Sequence, residues 1–158
     1  MVSIYWCLKT KKGLELVESS ENMSSSYLKM AEESLRMIQK NKESRIWLAS
    51  TSYYTMYYSL YAIMMKIGVK CEIHNCSLEF MKQFLPNFYS KNDCELIHTA
   101  FELRNDLQYY PDRLVDDSIL LKISQKAPDF FVKSRKILYS ISESEINLIR
   151  EKLSKLRK

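Results

Sequence analysis

The sequence predicts an all-α protein, an up-and-down bundle of about five to six helices, on three observations. Glycine occurs twice and proline three times in 158 residues, whereas a sheet-rich fold needs both at many turns. Apolar residues recur at three- and four-residue steps through most of the chain, the period of helices buried on one side. The breaks between those stretches are short and carry capping residues.

Taken in order, residues 1–22 read as an irregular or short helical lead-in that packs on the rest. Tyr5 and Trp6 precede a Lys9-Thr10-Lys11-Lys12-Gly13 turn and the apolar run Leu14, Leu16 and Val17. Ser24-Ser25-Ser26 offers N-caps for a first clear helix with Leu28, Ala31, Leu35 and Ile38 inward. Asn41-Lys42-Glu43-Ser44 is the break. The second helix, about Arg45 to Ile67, has two apolar or aromatic faces. One carries Ile46, Tyr53, Tyr57, Leu60, Met64 and Ile67, the other Trp47, Tyr54, Tyr58, Tyr61 and Met65. A helix apolar most of the way round belongs in the middle of a bundle. Gly68 is its C-cap, and Val69 to His74 form a connection. Asn75 caps a short third helix through Leu85, which Pro86 ends. A fourth runs from about Asn92 to Tyr109, and a fifth spans about Asp116 to Tyr139, with a kink or break expected near Pro128. Residues 143–158 read as a charged C-terminal helix with a capped start at Ser142-Glu143-Ser144-Glu145. With no internal repeat or long linker, residues 1–158 are expected to be a single domain.

Hydrophobic residues make up 46% and charged residues 27%, which excludes a disordered chain. The longest apolar stretch, Ile46 to Val69, is interrupted by six hydroxyl or charged residues from Ser50 to Lys66, so no membrane span is expected. No export signal is visible at the start, so a cytoplasmic location is expected, with Cys7, Cys71, Cys76 and Cys94 reduced. The net charge of +5 is a mild bias toward anionic partners. Arg150, Lys152, Lys155, Arg157 and Lys158 crowd the end, as a solvated helix terminus or a phosphate-binding tail would. Two glycines cannot make a Gly-rich phosphate loop, which excludes a conventional ATPase.

Three stretches together resemble a known family. Ser52-Tyr53-Tyr54-Thr55-Met56-Tyr57-Tyr58-Ser59-Leu60-Tyr61-Ala62 is similar to the tyrosine-rich helix of prokaryotic HEPN proteins. Gly68 followed by His74 resembles the connection after that helix, and Ala100 to Tyr109, centred on Arg104-Asn105-Asp106, resembles the family's arginine segment. The Tyr5-Trp6-Cys7-Leu8-Lys9 lead-in resembles that of archaeal members. The resemblance covers roughly residues 25 to 140. It implies a HEPN-like bundle that forms a homodimer, with the arginine segments of two subunits meeting, and a small nucleotidyltransferase as partner in a toxin–antitoxin-like pair. It implies a module that binds a nucleotide or RNA phosphate, with no cofactor. The alternative is an active metal-independent endoribonuclease in which Tyr109 stands where the family's histidine is expected. A third reading is a helical scaffold without a site. Tyrosine, with an ordinary pKa of about 10, is a poor base at neutral pH, whereas histidine is suited to it.

The candidate binding residues are therefore Arg104, Asn105, Gln108 and Tyr109, with Arg104 and Tyr109 catalytic if the protein cleaves RNA. Arg104 could hold a phosphate in a bidentate fork, or pair with a carboxylate such as Glu102, Asp106 or one on a neighbouring helix. Arg104 and Gln108 lie one turn apart, and Tyr109 joins them if the helix end stays regular. The Tyr53, Tyr54, Tyr57, Tyr58 and Tyr61 cluster reads as core or dimer interface, with a base-stacking platform as the rarer use. His74 reads as a cap or anchor of the connection. Cys71, His74, Cys76, Cys94 and His98 do not show the spacing of a closed zinc set, so no metal is expected.

Overall fold

The computed structural model describes residues 2–158. These residues form an all-α helical bundle of seven helices with one minimal strand pair. The elements are α1 (Ile4–Lys9), β1 (Glu15–Leu16), α2 (Glu21–Lys40), α3 (Arg45–Ile67), β2 (Val69–Lys70), α4 (His74–Phe84), α5 (Lys91–Tyr109), α6 (Asp117–Ser140) and α7 (Glu143–Arg157). The tyrosine-rich α3 is the central element, packed against α2, α5, α6 and α7. Met56, Leu60, Ala62, Ile63, Met64 and Ile67 on it are fully buried.

The helix satisfies several of its own hydroxyls, while the buried Ser52 Oγ has no hydrogen-bond partner among the described residues. Thr51 Oγ1 donates to the Trp47 carbonyl at 2.7 Å, Thr55 Oγ1 to the Thr51 carbonyl at 2.7 Å, and Ser59 Oγ to the Thr55 carbonyl. Ser44 caps the start through its side chain. Gly68, at φ +84°, closes the end in the left-handed conformation that glycine adopts without penalty. A Cβ there would also stand 2.5 Å from the Val17 carbonyl oxygen. The first turn of α3 departs from the expected burial: Ile46 is 45% and Trp47 60% exposed. The helical period marks a face but not where the neighbouring helices stop.

Several boundaries differ from expectation for local reasons. The first long helix starts at Glu21, with Ser20 accepting from the Met23 amide at 3.1 Å. Ser24 is therefore inside it, buried, donating to the Ala62 carbonyl at 2.8 Å. α4 starts at His74 with Ile73 as N-cap and no side-chain cap, so Asn75 sits in the first turn instead of capping it. α6 runs through Pro128 without a break. α7, by contrast, begins at Glu143 as expected, fixed by a reciprocal Ser142–Glu145 capping box. The connection after α3 contains β2, which pairs antiparallel with β1 in the register Glu15 to Lys70 and Leu16 to Val69. The lead-in is thus a short helix and a strand, with Cys7, Leu8 and Leu14 in the core.

Two long-range links correct the sequence reading. Cys7 and Cys76 form a disulfide between α1 and α4, so these two cysteines are not reduced thiols; Cys71 and Cys94 are free. Arg150 is not part of a solvated basic terminus. Its Nη1 donates to the carbonyls of Val17 at 2.8 Å, Ile67 at 3.0 Å and Gly68 at 3.0 Å, joining α7 to the β1–β2 corner. Among the described residues no helix is long and apolar enough to cross a membrane.

Candidate anion site

Three helices bring polar groups to one place beside the tyrosine ladder. Tyr53, Tyr54 and Tyr57 lie on consecutive turns of α3, Phe101, Arg104 and Asn105 face them from α5, and α4 begins at His74. Arg104 Nη2 donates to Tyr54 Oη at 2.7 Å, and Arg104 Nη1 donates to Asn105 Oδ1 at 2.8 Å. The guanidinium carbon lies 5.3 Å from the Tyr54 ring centre, 5.7 Å from Tyr109 and 5.8 Å from Tyr53, within cation–π range. α5 stays regular through Tyr109, which is what places that ring over Arg104.

The carboxylates that could have neutralised Arg104 are engaged elsewhere. Asp106 pairs with Arg113, and Glu102 lies 3.5 Å from His98 Nε2. Among the described residues no carboxylate makes an ion pair with Arg104, and its buried Nε has no hydrogen-bond partner. A half-buried cation is thus matched only by neutral dipoles and ring faces. Of the expected set, Arg104, Asn105 and Tyr109 come together. Gln108 is exposed, and among the described residues it hydrogen-bonds to none of them.

No family model matches this chain, and no curated protein matches it. The residues themselves carry the functional reading.

Sequence reasoning placed His74 as an anchor of a connection, and the structure adds it to the site. Its Nδ1 lies 2.7 Å from Tyr53 Oη, and its ring stacks on Tyr57 with centroids 4.2 Å apart and planes 4° apart. It also meets Phe101 at 6.0 Å and the Tyr54 ring edge-on at 6.3 Å. The Gly68–His74 spacing marked the connection, but nothing local says which helix the imidazole meets. Burial, and then the nearby Arg104 charge, lower its pKa from 6.5 to about 4. The imidazole is therefore neutral at neutral pH. Burial also pushes the Tyr53, Tyr57 and Tyr58 hydroxyls up, so each remains an O–H group. The remaining His and Cys residues do not gather: Cys76 is bonded to Cys7, and among the described residues no group of three His, Cys, Asp or Glu could hold a metal ion.

A pH dependence follows. The unfolded chain takes a proton at His74 as pH falls through 6.5, and the folded chain does so only near pH 4. Stability from this group is complete above pH 6.5 and is lost progressively between 6.5 and about 4. Across that interval the melting temperature of the wild type should fall more steeply than that of His74→Phe. Parallel slopes in thermal melts at a series of pH values would refute the depressed pKa.

Proposed function

We propose that this chain is a HEPN-like module that holds a phosphate of a nucleotide or RNA at Arg104. In this reading it forms a homodimer and partners a small nucleotidyltransferase in a toxin–antitoxin-like pair. One observation supports the binding role above the others: a half-buried guanidinium without a carboxylate, set among neutral groups that leave its charge uncompensated. An anion would supply that compensation in a place where charge-assisted hydrogen bonds are strong.

Arg104→Ala tests it. Binding of a labelled nucleotide or short RNA should weaken at least tenfold, since a hydrogen bond between charged groups contributes about 1.5–3 kcal/mol. The melting temperature should change little, because no buried carboxylate is left unpaired. A large drop in melting temperature with unaltered affinity would remove the assignment.

A second reading, the metal-independent endoribonuclease with Tyr109 in place of the usual histidine, draws on the Tyr109 ring lying beside Arg104, with both contacting the scissile phosphate. RNA cleavage by wild type in the presence of chelator, lost in Arg104→Ala, would favour it over phosphate binding alone. Cleavage gained only in Tyr109→His would mark the wild type as a binding protein.

A further inference from the structure

His74 makes one hydrogen bond that fixes which of its nitrogens carries the proton. Tyr53 is fully buried, and among the described residues its hydroxyl has His74 Nδ1 as its hydrogen-bond partner. A buried O–H without an acceptor is costly. If Nδ1 carried the proton and donated to the hydroxyl, the phenolic proton would be left in the core with nothing to accept it. The hydroxyl therefore donates to Nδ1, and the neutral ring carries its proton on Nε2. The stacking on Tyr57, with Phe101 near the other rings, holds the imidazole in this orientation.

We infer that His74 is a second anion-binding residue of the Arg104 site, a neutral imidazole that donates its Nε2–H to a phosphate oxygen, with Tyr53 as the positioning residue that sets its tautomer. This rests on the phosphate-binding reading of Arg104. The groups that face the ring are Tyr53, Tyr54 and Tyr57 from α3 and Phe101 and Arg104 from α5. No carboxylate is among them to draw a second proton onto the imidazole. A ring whose Nδ1 accepts from Tyr53 and whose Nε2 is protonated has no lone pair free for a ribose 2′-hydroxyl proton. The site is thus arranged to retain a phosphate, not to start general-base cleavage.

The test has two readouts. In nitrogen-15 spectra of histidine-labelled protein at pH 7, with the His98 signals assigned by His98→Gln, His74 should show the neutral Nε2–H pattern. Tyr53→Phe should convert it to a mixture of tautomers. In titrations with inorganic phosphate and with a short RNA, His74→Ala should bind roughly tenfold more weakly than wild type, the loss of one donor to a charged acceptor. His74→Gln, whose amide keeps an N–H near the Nε2 position, should recover part of that loss. An Nδ1–H or doubly protonated His74 at pH 7 overturns the inference. So does affinity lost in Arg104→Ala but unaltered in His74→Ala, an outcome that leaves the Arg104 reading standing. A wild type that binds neither phosphate nor RNA removes both.

Discussion

Replacing both Cys7 and Cys76 by alanine is expected to lower stability by about 4 kcal/mol, the chain-entropy value for a cross-link closing a loop of this size. The bond joins residues 69 apart in sequence and ties α1 to the first turn of α4. Both cysteines are 0% exposed, so a reductant reaches the bond only when the chain opens. The loss should therefore develop slowly in native protein under reductant and fully after unfolding and refolding in it. Urea unfolding of oxidised wild type beside the double variant measures the effect through the transition midpoint. Coincident midpoints would mean that the two cysteines stand as thiols in the folded protein. Because Cys76 shares a helical turn with His74, the double variant should also weaken phosphate binding, by loosening the turn that carries the imidazole.

The second large effect is expected at Arg150. Arg150→Met keeps much of the aliphatic stem but removes the donor shared by the Val17, Ile67 and Gly68 carbonyls. Losing charge-assisted bonds to these backbone acceptors should cost about 3 kcal/mol. The helix end after Ile67 and the β1–β2 pair would lose their common tie. Lys152→Met on the same helix is the control, where an exposed substitution should stay within about 0.5 kcal/mol. Equal melting temperatures for the two variants would show that the three bonds contribute nothing net.

The contrast between Arg150 and its basic neighbours shows where sequence reasoning stopped. Features written in local chemistry were legible: the span of α3 from Arg45 to Ile67, the left-handed Gly68, and α5 ending at Tyr109. Each depends on residues within a turn or two of one another. The start of α2 was harder, because several serines in a row can all cap a helix. It was settled by packing, which buries Ser24 against α3. The Cys7–Cys76 bond, the Arg150–Val17 contact and the meeting of His74 with Tyr53 join residues 69, 133 and 21 apart respectively. No periodicity encodes such pairings, since they arise from how finished helices dock. For the candidate site, the sequence marked Arg104, Asn105 and Tyr109 correctly as neighbours because they share a helix. It could not show that the nearby carboxylates are taken up by Arg113 and His98.

The tie made by Arg150 also has a bearing on the order of events during synthesis. The Val17 carbonyl leaves the ribosome 133 residues before the guanidinium that holds it. At about 5–20 residues per second that is an interval of roughly seven to thirty seconds. Through that time β1 can pair with β2 but has no link to α7, and the core-facing Leu14 just before it depends on the other helices for cover. A nascent chain halted before Arg150 should therefore hold a formed α2–α3 pair and an unsecured leading segment, open to proteases and chaperones until the seventh helix arrives.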